Sequence, residues 1–191
     1  MKEPILEPLL RKMRLAKVLP TLQKYPNCDL LDIGCGWEAK LLRSVEPHIA
    51  SGVGIDFKAP SLNESNEESK LSTMSVVLEK NLPFENESFD VVTMIAVLEH
   101  LEYPIEIMQE INRVLRPNGS LIITVPSVWS QPVLEFLSFG VGIVSKDEIA
   151  DHKLYHNRLS LEFLTRKSGL TIKKHKYFQL WMNNFCIASK N

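Results

Sequence analysis

Apolar and polar positions follow two different periods along this chain, and the two periods alternate. Short apolar runs, typical of buried strands, lie at residues 30–33, 51–57, 74–78, 89–97, 120–125, 171–178 and 183–189. Helical spacing of apolar residues occurs at residues 4–19, 38–45, 104–115 and 160–169. The alternation predicts a doubly wound, mostly parallel seven-stranded α/β sheet with helices on both faces. The last two strands are close enough for a C-terminal antiparallel hairpin.

Helix ends are marked by residues that favour turns. The first helix is expected to end at Pro20, and residues 116–119 (RPNG) are expected to form a turn before a strand. Ser160 is the expected N-cap of the last helix, with Phe163 facing inward and Gly169 after its C-terminus. These signals set the predicted boundaries of the elements.

The chain of 191 residues is expected to form a single domain over residues 1–191, with an N-terminal helix within residues 1–20. Residues 127–158 interrupt the alternation of strands and helices, because their first half is apolar and their second half is polar. This segment is longer than an ordinary connection, which favours an insertion that faces the substrate.

Composition excludes several classes of function. Apolar residues make up 45% of the chain, yet no apolar run approaches the roughly 20 residues of a membrane-spanning helix, so no transmembrane segment is expected. The three cysteines lack CxxC spacing, which favours a reducing, cytoplasmic location. The net charge of −1 does not indicate a nucleic-acid partner. No spacing of metal ligands is evident, so no metal site is expected.

The candidate chemistry centres on residues 29–42, DLLDIGCGWEAKLL. A buried strand runs into a turn at Gly34-Cys35-Gly36, and a helix is expected to start at Glu38. Glycine tolerates a positive φ and lets a ligand approach the backbone, while the helix start directs unpaired N–H groups toward the same place. Asp32 adds a carboxylate beside this turn. Cys35 is interpreted as a small residue in a crowded turn.

Two cofactors are compatible with this turn. Gly34, Gly36 and Ala39 satisfy the pattern G-x-G-x-x-A, and Asp56 follows Gly36 by twenty residues, which matches the dinucleotide fingerprint of NAD(P)-binding oxidoreductases. Asp32 opposes this reading because its carboxylate would repel a pyrophosphate. S-Adenosylmethionine has no phosphate, and its ammonium and sulfonium groups favour a nearby acid.

Five ordered segments within residues 28–126 resemble the class I S-adenosylmethionine-dependent methyltransferases, specifically the small single-domain members of the type 11 group. They are LLDIGCG (30–36), VGIDF (53–57), LPFENESFDVV (82–92), VLEHL (97–101) and INRVLRPNGSLIITVP (111–126). The resemblance implies the Rossmann-like methyltransferase fold. It also implies methyl transfer from S-adenosylmethionine, with S-adenosylhomocysteine as product.

The resemblance also assigns roles to motif residues. Asp32 is expected to hold the methionine amino end, and the turn from Gly34 to Gly36 is expected to pass beneath the methionine part. Asp56 is expected to accept hydrogen bonds from both ribose hydroxyls, and Ala96 to offer a backbone carbonyl. The cofactor-binding residues implied in this way are Asp32, Gly34, Cys35, Gly36, Asp56, Phe57, Leu78, Glu79 and Ala96.

This chain departs from the family pattern at two positions. Glu38 occupies the position of the usual third glycine of the first motif, where it could repel the carboxylate of the cofactor. Leu78 stands near the place of an acid that reads the adenine amino group, and the adjacent Glu79 is a candidate replacement. These departures keep open a non-catalytic cofactor-binding module with a decayed site.

Methyl transfer from a sulfonium centre is an in-line displacement, so the protein must align the reactants and exclude water. An oxygen acceptor also needs a general base, for which the candidates are His100, His152 and His156. The expected acceptor is a small molecule or an end-group. Within segment 127–158, residues 132–153 resemble methyltransferases that act on bacterial glycans or lipid-linked intermediates.

Overall fold

The predicted strands assemble into one sheet in the computed structural model, which describes residues 7–60, 62, 69–130 and 155–191. The seven strands of the described residues are β1 (Cys28–Ile33), β2 (Ile49–Asp56), β3 (Leu71–Ser75), β4 (Phe89–Ile95), β5 (Leu115–Pro126), β6 (Leu170–Phe178) and β7 (Asn183–Lys190). Their order across the sheet is β3-β2-β1-β4-β5-β7-β6. The first five pair in parallel, whereas β7 is antiparallel to both β5 and β6.

Helices cover both faces of this sheet, as the sequence predicts. The α-helices of the described residues are α1 (Glu7–Leu22), α2 (Lys40–Val45), α3 (Pro104–Val114) and α4 (Arg158–Lys167). Short 3₁₀ helices lie at Glu46–His48 and Leu98–His100. Buried residues of α1 and α2 share one apolar cluster with Leu30 and Val91, whereas those of α3 and α4 share another with Leu31 and Val92. Adjacent strand residues point to opposite faces, so the two clusters lie on opposite sides of the sheet.

The central position of β1 places the predicted site at one edge of the sheet. Within the parallel ladder, Asp32 lies between Gly54 of β2 and Thr93 of β4. Because these strands are parallel, their carboxyl ends meet at a common edge, where ligands of open α/β sheets bind. A side chain at Gly54 would come within 2.8 Å of Cys35 Sγ, so this glycine lets the turn after β1 pack closely on β2.

The predicted end of α1 and the predicted bounds of β3 are wrong. Helix α1 does not end at Pro20 but continues to Leu22, because Leu22 is fully buried in the core beneath it. Strand β3 covers Leu71–Ser75 instead of residues 74–78. The apolar residues that suggested the later strand follow it as a loop, in which Val76 packs on the core and Val77 is exposed.

Three further boundaries differ from the prediction. Helix α2 begins at Lys40 because Ala39 adopts a left-handed conformation, with φ of 47°. Strand β5 already starts at Leu115 and shifts its register across the predicted turn at 116–119. Asn157, not Ser160, is the N-cap of α4; Ser160 completes a capping box instead.

The inward orientation predicted for Phe163 is also wrong, because its side chain is 46% exposed and Leu161 and Leu164 form the buried face of α4. Most of the insertion predicted at 127–158 lies outside the described residues, which include only its two ends. No helix in the described part of the chain is long and apolar enough to cross a membrane.

Candidate cofactor and acceptor site

Asp32 is a buried carboxylate at the carboxyl end of β1. Its side chain is only 2% exposed, and its Oδ1 accepts a hydrogen bond of 2.7 Å from Thr93 Oγ1 on β4. Burial raises the pKa of Asp32 to about 7, with a smaller contribution from the charge of Asp56, while the Thr93 hydrogen bond lowers it. The carboxyl group is therefore suited to gain a cationic partner, which would favour its charged form.

The burial of Asp32 predicts a pH dependence of stability. In the unfolded chain this carboxyl group has the ordinary pKa of 3.8, against about 7 in the folded protein. Between these values the folded state holds a proton that the unfolded state has released, so Asp32 lowers the free energy of unfolding as the pH rises. Asp32→Asn lacks this contribution. As the pH rises from 5 to 8, the free energy of unfolding of the variant should therefore increase relative to that of the native protein.

Urea unfolding of both proteins at the two pH values measures this difference. Comparing the proteins at each pH cancels the titration of Glu99 and His156, which both proteins retain. Equal pH dependence of the two proteins would contradict the assignment of a raised pKa to Asp32.

The turn after β1 is held by backbone hydrogen bonds to β2. The amides of Gly34 and Cys35 both donate to the carbonyl of Ile55, over 2.8 and 3.1 Å. Gly34 has φ of +74°, and a Cβ at this position would overlap Cγ2 of Val97. Glycine is therefore required at position 34 both by its backbone conformation and by the close approach of the segment after β4.

Gly36 lies on the open side of the same turn. It has φ of +69°, and no atom lies within 4 Å of the place where a Cβ would stand. Its amide donates a 3.1 Å hydrogen bond to Asp56 Oδ2, while the amide of Lys58 donates to Oδ1 over 2.9 Å. The structure therefore brings the turn and the acid at the end of β2 together, and each carboxylate oxygen keeps a further lone pair for a ligand.

A cavity of about 250 Å³ opens beside the turn. Asp32, Cys35 and Trp37 line it, and α1 contributes Arg14 and Val18 to the lining. The contribution of α1 was not predicted, since the periodicity of this helix indicates only which face is buried. The cavity thus places an arginine and a buried carboxylate around the predicted position of the methionine end.

Glu38, the unusual residue of the first motif, also lines this cavity. Its carboxylate forms an ion pair with Lys40, and its carbonyl accepts a 3.0 Å hydrogen bond from Arg43 Nε. The negative charge that could repel a cofactor carboxylate is therefore balanced by a neighbouring cation.

Cys35 has the properties of a packed residue. It is 7% exposed, and burial together with the charges of Asp32 and Asp56 raises the pKa of its thiol to about 12. Since a thiolate is the nucleophilic form of cysteine, this side chain stays unreactive at neutral pH.

The residues expected around the adenine follow β3. Val76 donates its amide to the carbonyl of Asp56 over 3.0 Å, which places the following Leu78 and Glu79 on a loop that starts beside this acid. Leu78 is half-buried against the core and Glu79 is exposed. Phe57 is 64% exposed, so its ring lies open to solvent next to Asp56.

The segment after β4 reaches over the same edge. Ala96 has φ of 57°, and its amide donates to Thr124 of β5 over 2.8 Å. This left-handed residue turns the chain so that Val97 packs on Gly34, and His100 follows in the short 3₁₀ helix. His100 is half-buried and lies three residues after Val97 in this segment.

Glu99 is a site candidate that was not singled out from the sequence, although it belongs to the VLEHL motif. Its side chain is 1% exposed, and Oε2 has no hydrogen-bond partner among the described residues. Burial raises its pKa to about 7, while the charges of His100 and Arg14 lower it. Glu99 thus links the histidine candidate electrostatically to the cavity-lining arginine.

His156 is placed at the carboxyl end of β5, away from the cavity-lining residues. It forms a bridge with Ser127, its Nδ1 lies 3.3 Å from Ser160 Oγ, and its side chain is 3% exposed. Burial lowers its pKa to about 4, so the imidazole is neutral at pH 7. The third histidine candidate, His152, lies outside the described residues.

Comparisons with known proteins agree with this geometry. Residues 31–123 match the protein family described as methyltransferase domain. The demethylmenaquinone methyltransferase of Staphylococcus haemolyticus is 32% identical over 111 residues, which are 55% of this chain and 46% of that protein. The tRNA U34 carboxymethyltransferase of Pseudoalteromonas atlantica is 29% identical over 113 residues, 56% of this chain and 34% of that protein. This chain therefore spans less than half the length of both relatives.

The fold has close counterparts among solved structures. An S-adenosylmethionine-dependent methyltransferase from Aquifex aeolicus has a TM-score of 0.67 over 93% of this chain and 89% of that one, with 14% identity. Identity this low is informative about the fold alone. The predicted Rossmann-like sheet with its C-terminal antiparallel hairpin is confirmed.

Proposed function

We propose that this chain, whose residues 31–123 match the methyltransferase-domain family, is a class I S-adenosylmethionine-dependent methyltransferase, as its sequence resemblance predicted. We propose further that it methylates a small molecule or end-group by in-line displacement. The best support for this proposal is that the Gly36 amide, in the turn after β1, donates a hydrogen bond to Asp56 at the end of β2. This pair lies beside a cavity that the buried carboxylate of Asp32 lines. An acid at this cavity suits a cationic cofactor and disfavours the pyrophosphate of a nicotinamide cofactor.

The described residues fit S-adenosylmethionine. Asp32 offers Oδ2 to an ammonium group, since Oδ1 is bonded to Thr93. Open space above Gly36 admits the methionine part, and the lone pairs left on Asp56 suit a ribose diol. Arg14 lines the cavity and would attract a carboxylate. When bound, the cofactor supplies an activated methyl group on a sulfonium centre.

The protein's own contribution is to position the acceptor, to exclude water and to take one proton from an oxygen acceptor. His100 is the candidate base in the described part of the chain, because it lies on the segment that packs on Gly34 and near Glu99. The imidazole of His100 would accept the proton that an oxygen acceptor releases during methyl transfer. His156 is less suited, because its burial disfavours protonation at neutral pH.

The class of acceptor is inferred from charge and from the relatives. One relative is named for demethylmenaquinone, a small molecule, and another for tRNA. The net charge of −1 favours the small molecule, and a glycan or lipid-linked intermediate remains within this class. A cytoplasmic location also stays a prediction.

Calorimetric titration of the chain with S-adenosylmethionine, S-adenosylhomocysteine and NADH tests the cofactor. We expect saturable binding of the first two and none of NADH. Transfer of a labelled methyl group to a short-chain demethylmenaquinone analogue, with tRNA as the alternative acceptor, tests the reaction. Lack of heat with S-adenosylmethionine at millimolar concentration would contradict the proposal. Binding without transfer to either acceptor would favour the non-catalytic alternative.

The substitution Glu38→Gly tests whether the site has decayed. Because Lys40 balances the charge of Glu38 and exposed ion pairs contribute only about 0–1 kcal/mol, we expect the affinity for S-adenosylmethionine to change less than about threefold. Glu38→Gln is the matched control, since it removes the charge without adding backbone freedom. A gain of more than tenfold in both variants would indicate that the native carboxylate blocks the site.

A further inference from the structure

An exposed apolar surface lies at the tip of the hairpin formed by β6 and β7, beyond the cavity. Large apolar side chains in this region are from 36% to 84% exposed, although each could have been buried in a core. Contiguous apolar surface of this kind usually marks an interaction site. We call it the hairpin-tip patch; its members are Leu9, Met13, Val128, Trp129, Leu180 and Trp181.

Hydrogen bonds connect the three chain segments that carry the hairpin-tip patch. Ser127 Oγ donates to the carbonyl of Trp181 and accepts from the amide of Trp129 over 3.2 Å, so one hydroxyl group joins the two tryptophan segments. Gln179 Nε2 lies 3.4 Å from the carbonyl of Leu10 and 4.0 Å from Met13 Sδ, which joins the hairpin to α1. The patch therefore spans three segments distant in sequence.

A tight turn at residues 179–182 determines the exposure of the two outermost side chains of the patch. Gln179, Leu180 and Trp181 all have left-handed conformations, with φ of 51°, 56° and 66°. Such conformations are unfavourable for residues other than glycine by about 1–2 kcal/mol each. The hairpin turn accounts for the two central residues, because the Met182 amide donates to the Gln179 carbonyl over 3.1 Å and two-residue hairpin turns favour positive φ at both central positions. This turn leaves the side chains of Leu180 and Trp181 84% and 65% exposed.

The elements that carry the patch are cationic. Residues 9–22 contain Arg11, Lys12, Arg14 and Lys17 but no Asp or Glu, and residues 163–191 likewise contain no Asp or Glu. Lys17 Nζ lies 6.0 Å from the ring centroid of Phe178, and Lys174 Nζ lies 5.7 Å from that of Phe185. Both rings belong to the apolar cluster on the α1 face, and both residues lie within three positions of the turn at 179–182, so these cations lie beside the hairpin tip.

We propose that the hairpin-tip patch docks this protein on the surface of a lipid bilayer that contains anionic lipids. Tryptophan favours the interfacial region of a bilayer, and leucine and methionine favour its acyl boundary. Lysines at the border of the patch face lipid phosphates, which attract them by charge. Single-stranded RNA suits the surface less well, because it would stack on the tryptophans but leave the aliphatic members exposed to water.

Docking of this kind would bring the bilayer close to the cavity. Helix α1 contributes Met13 to the patch and Arg14 and Val18 to the cavity lining, so the two features are connected through one helix. An acceptor with an apolar chain could then be methylated while it remains anchored in the bilayer. This consequence, unlike docking itself, rests on the proposed methyl transfer.

Sedimentation with phosphatidylcholine vesicles, with and without phosphatidylglycerol, tests the docking surface. We expect the chain to sediment with the anionic vesicles, more strongly at low salt. The double variant Leu180→Ser/Trp181→Ser should bind at least tenfold more weakly, because two exposed apolar side chains no longer enter the bilayer. Lys17→Gln/Lys174→Gln should bind about tenfold more weakly to anionic vesicles only, because it removes the two cations beside the patch.

Matched controls come from α4 on the opposite face of the sheet. Leu159→Ser removes a side chain that is 73% exposed, and Lys167→Gln removes an exposed cation, and both should bind vesicles like the native chain. Circular dichroism checks that each variant is folded. Titration with S-adenosylmethionine should be unchanged in all of them, so failure of docking and failure of the proposed function are distinguishable.

Three outcomes would overturn the proposal. The native chain could fail to bind anionic vesicles, or the patch variants could bind them as well as the controls do. Size-exclusion chromatography could show a dimer that only the patch variants dissociate, which would assign the patch to a second copy of this chain. An RNA oligonucleotide that displaces the vesicles at equimolar concentration would assign it to nucleic acid.

Discussion

Asp56→Ala should weaken the binding of S-adenosylmethionine at least tenfold. The carboxylate keeps one lone pair on each oxygen after bonding to the amides of Gly36 and Lys58, and these are the acceptors proposed for the ribose diol. Hydrogen bonds to charged groups contribute about 1.5–3 kcal/mol each, and a tenfold change in affinity corresponds to about 1.4 kcal/mol. Calorimetry on the native and variant chains measures the difference.

The effect on stability should be smaller than the effect on binding. Asp56 also steadies the turn through Gly36, but the site is half-buried and water can replace the lost acceptor, so we expect a cost of about 1 kcal/mol. Asp29→Ala is the matched control. Asp29 is bonded to Ser51 and Arg116 at the opposite edge of the sheet, so its loss should affect stability and leave affinity unchanged. Normal binding by Asp56→Ala would show that the site is misplaced.

Gly34→Ala should be the most destabilising of the single substitutions considered. An added methyl group would overlap Val97, and φ of +74° is unfavourable for alanine. Overpacking typically costs about 1–3 kcal/mol and a left-handed conformation about 1–2 kcal/mol, so we expect a loss of about 3 kcal/mol. For a chain of this size, the melting temperature should fall by roughly 6–12 °C.

Two companion variants separate the causes of this loss. Gly36→Ala shares the left-handed conformation but has open space around the added methyl group, so it should cost only about 1–2 kcal/mol. Its methyl group would instead occupy the ligand side of the turn and weaken cofactor binding. Val97→Ala combined with Gly34→Ala should recover part of the lost stability, since the two residues are in contact. Additive effects of the two substitutions would refute the predicted overlap.

Local patterns in the sequence were sufficient to predict the order of strands and helices along the chain, and they also indicated where the candidate cofactor-site residues would lie. The acids Asp32 and Asp56 end buried strands, and parallel strands bring their carboxyl ends to one edge. The glycine turn also follows from local chemistry, because positive φ at Gly34 and Gly36 is a property of the turn itself. Each of these features can be recognised from a few consecutive residues.

Boundaries were predicted less well where tertiary burial competes with local preference. Helix α1 continues past Pro20 because Leu22 is buried in the core, although proline disfavours a helix interior. Strand β3 is paired at Leu71–Ser75, because its ladder with β2 ends level with Asp56. The apolar run that follows it packs on the core without joining the sheet.

The sequence by itself determined the fold class and placed Asp32, Gly34, Gly36 and Asp56, the candidate cofactor-binding residues, at the ends of the first two strands. Only the tertiary structure decided what surrounds them: the hydrogen bond from Thr93 to Asp32, the contact of Val97 with Gly34, and the cavity wall supplied by α1. The physical reason is distance along the chain. Thr93 and Asp32 are 61 residues apart, and their contact exists only because β1 and β4 pair in register.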